Sequence, residues 1–118
     1  MQYLCLIYED ETNLPSRPKS EQEAIMTDYF AFTERMRESG KLVAGDALMP
    51  TESATTVRIR DGNTVTTDGP FAETKEQLGG YYLLECKDLD EAIELAGQIP
   101  SAKWGSIEVR PIMVFDQD

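Results

Sequence analysis

"QYLCLIY", residues 2–8, is a short β-rich run that is apolar on both of its alternating faces. The residues of the two faces are Tyr3, Cys5 and Ile7, and Leu4, Leu6 and Tyr8. Because successive side chains of a strand point to opposite sides, a strand of this kind is buried on both sides. The run "GYYLLEC", residues 80–86, has the same character. The sequence therefore predicts two strands that need cover on both faces.

Two helices are predicted from capping patterns and apolar spacing. Ser20 and Glu23 form a capping box, which predicts that the first helix starts there. Gly40 supplies its left-handed stop. The apolar stripe between them consists of Ile25, Tyr29, Phe32 and Met36, widened by Met26 and Phe30. A second capping box, Asp88 with Glu91, predicts a shorter helix that ends before Pro100.

Three further β segments complete the predicted sheet. "KLVAGDALM", residues 41–49, reads as a strand, and "SIEVRPIMVF", residues 106–115, as a last strand in which Pro111 favours an edge or a bulge. "TTVRIR" and "TVTT" flank the turn at residues 61–63 and predict a half-exposed hairpin. The side chains expected inward are Val57, Ile59 and Val65, and those expected outward are Arg58 and Arg60.

The element order is β-α-β-(hairpin)-β-α-β within one domain, residues 1–118. Two helices on one face of an antiparallel sheet make a ferredoxin-like α+β layer. The helices can cover only one face of that sheet, although its strands are apolar on both. An exposed apolar sheet is an association site, so we expect a second copy to cover it in a two-fold homodimer.

The composition limits the classes of function. The chain has 22 acidic and 11 basic residues, a net charge of −11, and the acidic excess is spread along its length. Such a field repels phosphate backbones and disfavours nucleic-acid binding. The absence of histidine excludes His-based triads and His metal ligands, and no metal site or cofactor is predicted. No segment predicts a membrane span, and Cys5 and Cys86 read as buried thiols of a cytoplasmic protein.

Two regions carry candidate functional residues, and each has a structural explanation as well. Asp68 to Phe71 can be a rigid corner, or it can fix a carboxylate and an aromatic ring at a pocket mouth. Glu73 and Lys75 can be solvated surface or can hold an anionic group.

Glu108 and Arg110 share one face of the last strand, which we expect to be buried. They are either a satisfied ion network or the polar floor of a ligand cavity.

The segment "TDGPFAETKEQLGGYYLLE", residues 67–85, resembles the DGPF-type proteins of the YCII-related family. The resemblance extends to "YLCLIYEDE", "GKLVAGDAL", "TTVRIRDGNTVTTDGPF" and "IEVRP". It implies a dimeric α+β barrel. YCII-type relatives are associated with a His–Asp pair, which this chain cannot form without histidine. DGPF-type proteins are also linked to extracytoplasmic-function sigma factors.

Two functional hypotheses follow. The first is a homodimer that binds a small polar or anionic molecule and is open to being an enzyme that works without histidine. Lys75 and Arg110 would hold an anionic group, Phe71 and Tyr81 would supply apolar walls, and Asp68, Glu73 or Glu108 would transfer protons. The alternative is a non-catalytic regulatory or interaction module associated with a sigma factor.

Overall fold

The computed structural model describes residues 1–115, which form two layers: a four-stranded sheet and two helices on one of its faces. The elements are β1 Gln2–Glu9, α1 Lys19–Glu38, β2 Leu42–Ala47, β3 Thr55–Arg60, β4 Asn63–Asp68, β5 Gln77–Glu85, α2 Leu89–Ala96 and β6 Ser106–Pro111. Short 3-10 turns span Thr51–Ser53 and Pro100–Lys103. This order confirms the predicted ferredoxin-like arrangement. None of the helices within the described residues is both long and apolar enough to cross a membrane.

The sheet has the strand order β2-β5-β1-β6, and every neighbouring pair is antiparallel. The two strands with two apolar faces, β1 and β5, therefore occupy the centre. Strand β6 lies at an edge, as Pro111 predicts. It ends at Pro111 and does not reach residue 115, so the predicted length of this strand was wrong. The Ile112 N–H still donates to the Gln2 carbonyl oxygen at 2.9 Å, and the pairing stops there because the partner strand β1 begins at Gln2.

The core lies between the sheet and the helices. Its buried members are Tyr3, Cys5, Ile7, Phe32, Met36, Tyr82, Leu84, Cys86, Ala92, Leu95, Ala96 and Ile99. The rings of Phe32 and Tyr82 meet edge to face with centroids 5.0 Å apart. Both cysteines are buried free thiols, and burial raises the pKa of Cys5 to about 11. The predicted stripe of α1 is confirmed, but Met26 and Phe30 are exposed because they lie beside the core.

The two predicted capping boxes differ in outcome. Asp88 caps α2, and its Oδ1 accepts the Glu91 N–H at 2.9 Å. Helix α1 instead starts one residue before Ser20, with Pro18 at the N-cap and no side-chain cap. The prediction for Ser20 was wrong because Pro18 is already held near the helical φ by its ring and ends the preceding loop.

The second face of the sheet is open. Leu4, Leu6, Tyr81 and Leu83 point away from the helices and remain partly exposed. The smallest dimension of the chain is 19 Å, which fits one sheet and one helix layer. Its radius of gyration is 16.5 Å, against about 13.5 Å for a compact chain of this length. The chain is therefore a flat slab with an uncovered apolar face.

The hairpin of β3 and β4 forms a separate two-stranded sheet. Val57 and Ile59 are 61% and 59% exposed, so the expected inward packing of this hairpin does not occur within the chain. Val65 pairs directly with Arg58. Directly paired residues share a face, so Val65 lies on the side opposite Val57, and the predicted common apolar face was wrong.

Gly105 allows the last loop, which precedes β6, to lie close to β1. A Cβ added at this position would lie 2.2 Å from the Tyr8 carbonyl oxygen and 2.9 Å from Glu9 Cβ. We expect Gly105→Ala to lower the free energy of unfolding by about 1–3 kcal/mol, because backbone must move to relieve the overlap. Urea denaturation measures the change.

Gly97→Ala is the matched control. Gly97 has φ −65°, and an added Cβ would make only ordinary contacts, the nearest at 3.5 Å. Its substitution should be neutral or stabilise by up to about 1 kcal/mol. Equal losses for the two variants would contradict the close approach at Gly105.

Candidate functional site

A cavity of about 600 Å³ lies on the helix side of the sheet, between α1, β2 and the first half of β5. The end of β1 and the loop that follows it, residues 9–15, contribute to the same wall. A volume of this size is typical of a small-molecule site. The cavity is therefore the first candidate for a functional site.

Glycines create the space at the floor of the cavity. Gly45 and Gly80 lie on neighbouring strands, and an added Cβ would meet the Tyr82 ring at 2.7 Å and the Asp46 carbonyl oxygen at 2.9 Å, respectively. Gly79 is the extra residue of a bulge, since Ile7 pairs with Gly80 and Tyr8 with Leu78. A bulge and a close backbone approach therefore occur side by side at residues 79–80. Strand β5 accordingly begins at Gln77 and not at residue 80.

The walls of the cavity are mainly apolar. They include Leu14, Met26, Phe30, Leu48 and Met49. Phe30 and Met49 are also 68% and 76% exposed, so they belong to the rim. Apolar side chains that widen the stripe of α1 therefore surround the mouth of a pocket and do not enter the core.

Two pairs of hydroxyl groups lie along the helix side. Thr33 Oγ1 and Tyr82 OH are 2.7 Å apart, and both residues line the cavity. Tyr29, another lining residue, shares a short hydrogen bond with the buried Ser101. Burial raises the pKa of Tyr29 above its usual value, so this phenol stays protonated at neutral pH.

The lining includes three acidic residues, and the carboxylate of each has a partner. Glu9 accepts a hydrogen bond from the Trp104 indole N–H. Glu11 accepts from the backbone N–H of Thr51 at 3.0 Å and from its hydroxyl group, which joins the loops on either side of the cavity.

Asp46, the third, has its carboxylate on the open face of the sheet, where it accepts from Tyr81 OH at 2.5 Å. That bond, followed by burial, raises the pKa of Tyr81.

The predicted site residues do not lie together in the structure. Tyr81 belongs to the cavity lining, but its side chain points to the open face of the sheet. Phe71 and Glu73 instead line a second, wider recess of about 1050 Å³ at the base of the hairpin. Asp68 ends β4 in solvent, and Lys75 lies exposed in the loop before β5, near Asp10.

Glu108 and Arg110 lie on the open face of the sheet, paired across from Leu6 and Leu4. Both are exposed, so the expectation of a buried face was wrong for the single chain, because nothing within the described residues packs there. Neither lines the cavity, and neither does Lys75.

Sequence reasoning missed Glu9, Thr33, Tyr82 and Trp104 as possible site residues. Glu9 and Trp104 are far apart in the chain, and only the pairing of β1 with β6 brings them together. Thr33 is a polar residue next to a helical stripe, which gives no signal by itself. Among residues 1–115, no group of three or more Cys, Asp or Glu side chains is arranged to hold a metal ion.

Comparisons with known proteins fit the observed fold. A family model described as the YCII-related domain matches residues 1–116. The chain is 44% identical over 117 residues to "Uncharacterized protein R00369" of Rhizobium meliloti (strain 1021), which covers 98% of this chain and 94% of the relative.

A solved structure has a similar fold. It is 5-chloro-2-hydroxyhydroquinone dehydrochlorinase (TftG) from Burkholderia phenoliruptrix AC1100, in complex with 2,5-dihydroxybenzoquinone. It matches with a TM-score of 0.51 and 18% identity, covering 96% of this chain and 94% of that chain. At this identity the likeness shows the fold alone.

Gly45 and the Tyr82 ring are expected to be energetically coupled. Gly45→Ala alone should lower the free energy of unfolding by about 1–3 kcal/mol, because the ring is held against Phe32 and cannot easily move. In a Tyr82→Ala background the same substitution should cost less than about 0.5 kcal/mol. A double-mutant cycle by urea denaturation measures the difference, and additive costs would show that the ring does not rest on Gly45.

Proposed function

This chain belongs to the YCII-related family, and we propose that it is a cytoplasmic homodimer that binds a small hydroxylated ring compound between α1 and strands β2 and β5. The observation that carries the proposal is the cavity itself. It has mainly apolar walls and a small number of hydrogen-bonding groups, which is the composition of small-molecule sites.

The hydroxyl pair of Thr33 and Tyr82 supports a ligand with polar substituents. Thr33 Oγ1 donates to the Tyr29 carbonyl oxygen at 2.9 Å, so Tyr82 OH is the donor within the pair and can redirect its O–H toward a bound hydroxyl group. The apolar side chains of the walls suit the apolar faces of a ring. Since the chain has no histidine, any proton transfer at the ligand would use a carboxylate or a phenol.

The charges of the lining support a polar ligand over an anionic one. Arg37 is the basic residue of the lining, and it is already paired with Glu34. The two cations expected to hold an anion, Lys75 and Arg110, lie elsewhere. An anion would therefore enter an acidic cavity of a chain whose net charge is −11.

The similar structure, TftG, is consistent with the binding of a small molecule by this fold. The TftG structure contains a small quinone, so a chain with this architecture can hold a small ring compound. The ligand class proposed here rests on the lining residues of this chain.

Removal of the Tyr82 hydroxyl group should weaken ligand binding. For 4-ethylphenol, titrated by calorimetry, Tyr82→Phe should raise the Kd about three- to tenfold, the effect of one lost hydrogen bond. Tyr3→Phe is the control, because Tyr3 lies in the same core outside the cavity. No binding to the unsubstituted protein would overturn the proposed function, and equal losses for both variants would place the ligand elsewhere.

The homodimer is supported by the open sheet face. Leu4, Leu6 and Leu83 form an apolar centre, with Glu108 and Arg110 beside it. Opposite charges on one face can pair reciprocally across a two-fold axis, which makes the face complementary to itself. Burial of the apolar centre against a second copy would also give each slab the second layer that it lacks.

Leu83→Glu should dissociate the dimer. The unsubstituted chain is expected to sediment at twice its mass of 13.3 kDa, and the variant at 13.3 kDa, because the new carboxylate would be buried without a partner. The dissociation constant should rise more than about 100-fold. Ile93→Glu, on the exposed side of α2, is the control and should stay dimeric. Far-ultraviolet circular dichroism checks that both variants are folded, and a monomeric unsubstituted chain would refute the dimer.

The hairpin favours a second candidate function, a regulatory interaction module. An isolated two-stranded hairpin is marginally stable in water, and within residues 1–115 Val57 and Ile59 remain 61% and 59% exposed. The two functions can be separated by Val57→Thr with Ile59→Thr. Loss of dimer mass in this variant would assign the hairpin to the homodimer, and an unchanged mass would leave it free for another partner.

A further inference from the structure

We propose that Glu9 is the residue that selects ligands for the cavity, by accepting a hydrogen bond from a hydroxyl or ammonium group and rejecting carboxylates. The inference rests on the proposed function and adds the chemical class of the ligand. It also assigns a role to a residue that the sequence did not single out.

Glu9 has one oxygen committed and one available. It is half-buried at the end of β1 and lines the cavity. Its Oε2 accepts the Trp104 indole N–H. Within residues 1–115, Oε1 receives neither a hydrogen bond nor an ion pair. A half-buried carboxylate with an unused acceptor is suited to a donor supplied by a ligand.

The other charged groups of the lining are engaged or exposed. Both oxygens of Glu11 are held by Thr51. Asp46 is exposed and accepts from Tyr81, and Arg37 pairs with Glu34 in solvent. Glu9 therefore combines partial burial with a free oxygen in a way that its neighbours do not.

Within the described part of the chain, Glu9 forms no ion pair with a basic side chain. The nearby Arg17 guanidinium lies over the Trp104 ring, 4.8 Å from its centroid, and its ion pair is with Glu21 at 3.6 Å. The negative charge of Glu9 reaches the cavity wall, since it adds to the burial that raises the pKa of Tyr29. A cationic or hydroxylated ligand would meet this charge favourably, and a carboxylate would meet repulsion.

The backbone fixes the position of Glu9. Gly105 allows the last loop to lie so close to Tyr8 and Glu9 that no Cβ would fit. That approach carries Trp104 to the carboxylate. Because an acceptor held in place before binding loses little freedom when the ligand arrives, Glu9 can discriminate by charge at low cost.

The test uses three phenols of similar shape and different charge: tyramine (cation), 4-ethylphenol (neutral) and 4-hydroxyphenylacetate (anion). The unsubstituted protein should bind them in that order, with at least about a tenfold difference between cation and anion. Glu9→Gln keeps an oxygen for Trp104 but removes the charge, so its three affinities should fall within about threefold of one another. Calorimetry measures the affinities. Trp104, the one tryptophan of the chain, should report binding next to Glu9 by a change in fluorescence.

Glu94→Gln is the matched control, because Glu94 is an exposed carboxylate on α2 outside the cavity. It should keep the charge order of the unsubstituted protein. If Glu9→Gln also keeps that order, the inference is wrong and the cavity binds by other groups. If the unsubstituted protein binds none of the phenols, the proposed function itself fails.

A second variant covers the case in which Glu9→Gln does not fold. Trp104→Phe removes the indole donor and leaves both Glu9 oxygens for the ligand. The preference for tyramine over 4-hydroxyphenylacetate should then persist or increase. Its disappearance would overturn the role of Glu9.

Discussion

Strand β1 pairs on both of its edges, with β5 on one side and β6 on the other, and both of its faces are apolar. Because of this central position, both apolar faces of β1 need to be covered by other parts of the structure. The helices cover one face of the sheet and form the buried core with it. The other face is left with leucine side chains in contact with water, which is why association with a second copy is the economical solution. The end of the same strand delivers Glu9 to the cavity, so packing and the candidate site share one element.

Much of the fold follows from local patterns in the sequence. Apolar spacing located α1, the Asp88 cap located α2, and continuous apolar runs located the central strands, because these signals act within a few residues of one another. The errors arose where distant contacts decide the outcome. The pairing of Val65 with Arg58 decides which side chains share a face of the hairpin. That register depends on both strands, so the apolar–polar alternation within one strand does not predict it. Glu108 and Arg110 were expected to be buried because β6 is otherwise apolar, but residues 1–115 provide no second layer on their side of the sheet.

The candidate site was less predictable than the fold. The glycines at residues 79–80 shape the cavity floor, and their role depends on the neighbouring strand. The groups that give the cavity its chemistry come from β1, α1, β5 and the last loop. None of them stands out locally, since a threonine beside a helical stripe or a glutamate at a strand end is common. Charged residues that did stand out, such as Lys75, lie on exposed loops because solvent is where an unpaired charge costs least.

The bulge at Gly79 divides β5 into two segments. The pattern of residues that face the helices is shifted by one position between them. Residues 80–85 keep the alternation that fills the core, while Leu78 and Gln77 follow an offset of one position. The offset segment is tied to the loop after β1, since Gln77 Oε1 accepts the Glu11 N–H at 2.9 Å. Changes in chain length at this point would therefore reorient the cavity rim and leave the core intact. A chain built in this way can vary its pocket by insertion or deletion of a single residue without a new hydrophobic core.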